Sequence, residues 1–144
     1  MDNLTLREIL TPDRVALFWS KVDKSAECWT WTAATNGVGY GKCRWAGYWL
    51  AAHRIGYFLG KGDIPDGVHL DHLCRNTLCV RPEHLEAVSP RDNILRGTGY
   101  SAKHAAKSVC PRGHRYDKTR GGSRACSTCD NAVARAYQAR RRSK

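Results

Sequence analysis

Cysteine and histidine crowd two short stretches of this chain, and their spacing is that of metal ligands. Cys74-x4-Cys79-x4-His84 places three soft or borderline donors within eleven residues. A structural zinc ion takes four such donors in a tetrahedron. The fourth must come from elsewhere in the chain, and Cys28 and Cys43 are the candidates. The second stretch, Cys110-x3-His114-x11-Cys126-x2-Cys129, is a complete four-donor set with two tight knuckles. Nothing beside it offers an open coordination position or a catalytic acid, so it reads as structural. So small a unit needs its metal to fold.

Asp71-His72 stands immediately before the first cluster. Hydrolysis of a phosphodiester needs a base to take a proton from water, and neutral imidazole suits that task. It also needs a divalent ion against the phosphate. Mg²⁺, or Mn²⁺ in its place, prefers oxygen donors such as a carboxylate and an amide oxygen. On a strand Asp71 and His72 point to opposite faces.

The block Asp71-His72-Leu73-Cys74-Arg75-Asn76-x2-Cys79-x2-Pro82-x-His84-Leu85, followed by Asn93, resembles the H-N-H and His-Cys box endonucleases. Cys28-Trp29-x-Trp31, Tyr40-Gly41 and Ala52-His53-Arg54 are similar to the N-terminal part of the phage-type H-N-H group. The resemblance covers roughly residues 15–97 and implies a ββα-metal fold. It implies His72 as general base, with Asp71 and Asn93 as the Mg²⁺ ligands. It implies Cys74, Cys79 and His84 as zinc ligands, with Cys28 as the fourth. The His-Cys box members differ at the position of Asp71. Arg54 is the candidate for steadying the phosphate, with Arg44 as its rival. Zinc modules like the second cluster also occur in phage H-N-H proteins.

These residues need elements to hold them. Leu6, Ile9, Leu10, Val15, Leu17, Phe18 and Val22 recur at helical spacing over 4–24, broken at Thr11-Pro12-Asp13. Cys28 to Thr32 alternates as a strand does. Asn36 to Gly39 reads as a turn, and Tyr40 to Trp49 as a hairpin turning near Ala46-Gly47. Ala51 to Leu59 reads as a short helix stopped by Gly60-Lys61-Gly62. Val68 to Leu73 and Glu86 to Val88 read as strands around the metal loop. Ser89 caps a helix that Pro90 opens and that runs to about Arg96. The predicted class is α+β: a nuclease core with an N-terminal helical segment over 1–97, a linker over 98–109, and a basic zinc module over 110–144. Asn131 to Arg142 is Ala- and Arg-rich and reads as a terminal helix.

The charge is divided unevenly. Residues 1–90 hold 10 Lys/Arg and 10 Asp/Glu, whereas 91–144 hold 14 and 3, so the net charge of +11 lies in the last 54 residues. Such asymmetry points to a polyanion partner, most often nucleic acid. Seven cysteines, an odd number set among histidines, fit a reducing compartment better than a disulfide framework. Met1 to Leu10 carries Asp2, Arg7 and Glu8, and no run of about 18 apolar residues exists, so neither a signal peptide nor a membrane span is expected. The cytoplasm of a bacterial host is the expected setting. The expected function is that of a metal-dependent endonuclease acting on DNA, double-stranded in the simplest case. A homodimer would allow paired cuts. The alternative is a catalytically inactive, zinc-stabilised DNA-binding regulator on the same scaffold, and a ribonuclease stands third. Homing, restriction and packaging roles are equally compatible.

Overall fold

Pro12 opens the second of two N-terminal helices, α1 (Asn3–Ile9) and α2 (Pro12–Trp19). Its ring fixes φ and removes an N–H that the first helical turn would leave unpaired anyway. The computed structural model describes residues 3–143; Met1, Asp2 and Lys144, at the ends of the two expected domains, lie outside the described residues. The second helix ends earlier than its periodicity suggests. Val22–Asp23 forms β1, which pairs antiparallel with β2 (Thr30–Trp31), Val22 opposite Trp31.

Strands β3 (Lys42–Trp45) and β4 (Tyr48–Ala51) make the expected hairpin. Its turn residues Ala46 and Gly47 have φ of 48° and 84°, the doubly left-handed turn whose twist matches a two-residue hairpin. Helix α3 (Ala52–Lys61) follows. Gly60, expected as part of its stop, lies inside it, and the helix ends at Gly62 with φ 85°. The reason is packing. Cβ atoms at Gly56 and Gly60 would collide with Val80 and Pro82 respectively. The two glycines lie one turn apart and let α3 rest directly on the metal loop.

The ββα unit comes next. β5 (His69–His72) pairs antiparallel with β6 (Leu85–Val88), with Asp71 opposite Glu86 and His72 opposite Leu85. A 3₁₀ turn at Pro82–His84 leads into β6. Helix α4 (Pro90–Arg96) is capped as expected: the Asp92 N–H donates to Ser89 Oγ at 3.0 Å. Beneath these elements Phe18, Trp31, Cys43, Leu50, Ile55, Ile64, Leu70 and Val80 belong to one buried cluster. Phe18 stacks on Trp31 with centroids 5.3 Å apart.

The chain divides into two compact units, Met1–Arg96 and Gly97–Lys144. In the second, residues 98–109 are not an unstructured linker. They contain helix α5 (Tyr100–Ala106). Arg124 donates to the carbonyls of His104, Ala105 and Lys107 at its end. A short hairpin, β7 (Lys118–Arg120) and β8 (Ser123–Ala125), turns at Gly121-Gly122. Helix α6 (Ser127–Arg142) begins before Asn131, with Cys126 as its N-cap. Among the described residues of this unit only Ala102, Cys110 and Cys126 are buried. That is too little apolar burial to hold a fold by itself.

Candidate functional site

The loop between β5 and β6 is shaped by its own hydrogen bonds. Arg75 adopts φ 58°, and its N–H donates to the His72 carbonyl at 3.0 Å. Asn76 Oδ1 accepts from the Leu78 N–H at 3.0 Å, and the Asn76 carbonyl accepts from the Cys79 N–H at 3.1 Å. The segment carrying Cys28 is stitched to this loop: Trp31 N–H donates to the Leu78 carbonyl and Val80 N–H to that of Trp29, at 2.9 and 2.8 Å.

That pairing brings Cys28 beside Cys74, Cys79 and His84, with one ligand atom from each all within 4.8 Å of one another. The sulfurs of Cys28 and Cys79 each lie 3.6 Å from His84 Nδ1. Zn–S and Zn–N bonds of about 2.3 and 2.0 Å at the tetrahedral angle place S and N roughly 3.5 Å apart. The donor set therefore fits zinc. His84 turns its other nitrogen toward Glu27, 4.0 Å away. Cys43 is buried in the apolar core instead, and burial pushes its thiol up to about 11.

Cys110, His114, Cys126 and Cys129 form the second group by the same criterion. The Cys110 and Cys129 sulfurs are 3.7 Å apart. Two sulfurs on one tetrahedral zinc would be about 3.8 Å apart, whereas a disulfide needs about 2.05 Å. None of the seven cysteines is paired in a disulfide.

His72 ends β5 and is 5% exposed. Its Nε2 lies 3.2 Å from the Cys79 carbonyl oxygen. A carbonyl only accepts, so Nε2 carries the proton and Nδ1 keeps its lone pair. Burial holds this imidazole below its ordinary pKa. The Cys79 carbonyl and Asp71 oppose that shift, and Arg75 adds to it. The ring is flanked by His53, edge-on at 5.0 Å, and Tyr40 at 5.9 Å. His53 is itself pushed down to about 3, by burial first and then by His72 and Arg54.

Asp71 lies on the other face of β5, as strand alternation requires. It is 5% exposed. Its Oδ1 accepts from Arg75 Nη1 at 2.7 Å. Its Oδ2 is buried without a hydrogen bond, with Arg96 Nη1 3.7 Å away. Asn93, on α4, turns its amide nitrogen to His69 Nδ1 at 3.3 Å, which leaves its oxygen for another partner. Asp71 and Asn93 thus share the α4 side of β5, and His72 faces α3. A buried carboxylate oxygen that lacks a hydrogen bond, with the Arg96 guanidinium near it, and an amide oxygen are the donors a hard divalent cation takes.

Arg54 lines a cavity with Leu6, Trp49, Leu50 and Ile55, and Arg44 lies over the Trp49 ring at 5.8 Å. The arginines that meet Asp71 are Arg75 and Arg96. Sequence reasoning missed both, along with His53, Tyr40 and His69. Arg75 stands four residues after Asp71 in the motif block, and Tyr40 and His53 lie in segments that carry the resemblance, but the sequence alone gives none of them a role.

A Cys/His-stapled ββα unit with a buried Asp-His pair at its first strand defines a class of protein, and sequence comparison agrees with it. Residues 50–95 match the HNH endonuclease family. It is similar to Protein 2.8 of Escherichia phage T7, 38% identical over 71 residues that cover 48% of each chain. It is also similar to Protein 7.7 of the same phage, 35% identical over 68 residues, 46% of this chain and 52% of that one. An uncharacterized gene 5.3 protein of Enterobacteria phage T3 is 43% identical over 44 residues, 31% of this chain and 44% of that one. The chain spans about half the length of the curated relatives it matches. No solved structure matches. Among the described residues no helix is long and apolar enough to cross a membrane.

Proposed function

We propose that this chain is a divalent-metal-dependent endonuclease that hydrolyses phosphodiester bonds of duplex DNA. One observation carries the reading. His72 holds its proton on Nε2 against the Cys79 carbonyl, which leaves a neutral, lone-pair Nδ1, and the preceding residue is a buried Asp71 whose Oδ2 lacks a hydrogen bond. His72 accepts a proton from water at Nδ1. The water oxygen bonds to phosphorus as the bond to the leaving oxygen breaks, and the leaving oxygen takes a proton from solvent water while His72 gives its own up to solvent. His53 and Tyr40 pack the His72 ring and hold its orientation. Arg75 fixes Asp71 through Oδ1, and a cation binding at Oδ2 would take the place of the Arg96 guanidinium now 3.7 Å from it. Mg²⁺ or Mn²⁺, held by Asp71 and Asn93, would supply positive charge against the scissile phosphate. Zinc at the two Cys/His groups shapes the loop and the C-terminal unit and takes no part in the chemistry.

The net charge supports DNA as partner, because the excess of +11 lies wholly beyond residue 90. Met1–Arg96 is the proposed cutting unit and Gly97–Lys144 the proposed holding unit. Incubation of the purified, zinc-loaded chain with supercoiled plasmid tests the reading. Nicked or linear product is expected with Mg²⁺ and none without it. Tight plasmid binding with no product at any Mg²⁺ or Mn²⁺ concentration would favour the inactive DNA-binding regulator.

A further inference from the structure

Helix α6 carries a stripe that the cutting chemistry does not use. Asn131, Arg135, Gln138 and Arg142 recur at i, i+4, i+7 and i+11. At about 100° per residue they fall within an arc of roughly 60°. All four are exposed, and among the described residues none has a side-chain hydrogen bond or ion pair. The start of the helix meets its own hairpin on another side. Asp130 pairs with Lys118 of β7 at 2.9 Å, and Asp130, Val133, Ala134 and Tyr137 line a cavity with Arg120. Beyond this first turn α6 stands in solvent, Val133 and Tyr137 included, and the Asn/Arg/Gln stripe is its continuous polar face. Its first turn is anchored, because Cys126 caps it and Cys129 lies within it, both members of the second metal group.

We infer that α6 reads base pairs in the major groove of duplex DNA, with Asn131, Arg135 and Gln138 as its specificity-determining residues. The inference rests on the DNA reading above and deepens it. Three observations converge on this partner. The residue types are those whose side chains make two-pronged contacts to base edges: Arg to guanine, Asn or Gln to adenine. The element has the right dimensions, since sixteen residues make a rod about 24 Å long and the major groove admits an α-helix. The charge is complementary, since residues 97–144 hold 12 Lys/Arg against 2 Asp/Glu. The stripe carries no apolar residue to bury against a protein. The deep, narrow major groove of duplex RNA would not admit the helix. Arg141 lies to one side of the stripe and contributes as a phosphate contact.

The test is selection of the zinc-loaded full chain on a randomised duplex DNA library without Mg²⁺, so that binding is read and cleavage is not. A preferred short sequence is expected. Asn131→Ala, Arg135→Ala and Gln138→Ala should each relax preference at one position by about 5- to 140-fold, the worth of one two-pronged contact. Arg135→Lys keeps the charge but not the fork, so it should relax preference while overall affinity stays close to wild type. Arg141→Ala should weaken all sequences alike and reduce the salt slope by about 0.9. Zinc content and circular dichroism of each variant establish that α6 is intact. Binding without any preferred sequence, a preference that all three alanine variants retain, or tighter binding to duplex RNA or heparin would each overturn the inference. A preferred sequence in a chain that never cuts plasmid would remove the nuclease reading and leave this one standing.

Discussion

Cys28→Ser and Cys43→Ser form a matched pair whose outcomes should diverge. Cys28 lies 56 residues from its partner His84, yet its sulfur is 3.6 Å from His84 Nδ1. Serine there removes one of four donors and substitutes a poorer, neutral one. A structural zinc is worth about 10–16 kcal/mol of apparent binding free energy at neutral pH. A whole domain is stable by only about 5–15 kcal/mol. Giving up a third of the former, about 3–5 kcal/mol, is a large share of the latter, so the site should lose its zinc and the loop its order, and with it the carbonyl of Cys79 that orients His72. Cys43 is buried in the core cluster with Phe18, Leu50 and Ile55 and belongs to neither Cys/His group. A hydroxyl there costs about 1–3 kcal/mol for a buried polar group, and the zinc stays bound. Elemental analysis should give about two zinc ions per chain for the wild type and Cys43→Ser, and about one for Cys28→Ser, one ion for each four-donor group. Full zinc occupancy in Cys28→Ser, or half occupancy in Cys43→Ser, would refute the ligand assignment.

Three further outcomes can be checked by simple measurements. Gly56→Ala puts a Cβ against the Val80 carbonyl, and 3.0 Å from the Val80 Cβ. It should cost about 1–3 kcal/mol as overpacking, seen as a Tm lower by roughly 5–20 °C. Gly37→Ala, with nothing within 4 Å, should leave Tm unchanged. His53 is held neutral when folded, at about 3. The unfolded chain therefore binds more protons below about 6.5, so stability is full above that pH and falls as pH drops toward 3. This amounts to roughly 2 kcal/mol at pH 5. His53→Asn should show a smaller fall in Tm between pH 7 and pH 5 than the wild type, and an equal fall would contradict the burial argument. A chain ending at Gly97 retains Asp71, His72, Asn93 and the first metal group. It should bind DNA far more weakly, with a salt slope reduced by about 0.9 for every phosphate it no longer neutralises, and should cut only at low salt. Unchanged affinity and slope would show that the basic unit does not hold DNA.

The parts legible in the sequence are those set by local chemistry. Both cysteine and histidine groups declare themselves because all their donors except Cys28 lie in two short motifs. Pro12, Ser89-Pro90 and Ala46-Gly47 mark element ends through their own backbone preferences. What is not legible depends on register and packing. Arg96 reaches Asp71 because α4 lies along β5, and His53 reaches His72 because α3 rests on the metal loop. Neither follows from spacing. Gly60 reads as a stop because a glycine inside a helix is unfavourable, but its value lies in the approach to Pro82. Helix α5 is obscured by Gly97-Thr98-Gly99 before it, although the Ala and Lys residues that follow are good helix formers. The β7–β8 hairpin carries its signal in Gly121-Gly122, a two-residue turn pair. Its strands are only three residues each, too short for alternation to show.

The single-turnover cleavage rate of His72→Ala on supercoiled plasmid, measured with Mg²⁺ at saturating protein, addresses the proposed chemistry most directly. His72 supplies the proton-accepting Nδ1 and belongs to neither Cys/His group, so the variant should keep its full zinc content and wild-type DNA affinity. Its rate should fall by about 10²- to 10⁴-fold, the usual contribution of a general base. A folded His72→Ala chain that cuts within a few-fold of the wild-type rate would contradict the assignment of His72 as the base.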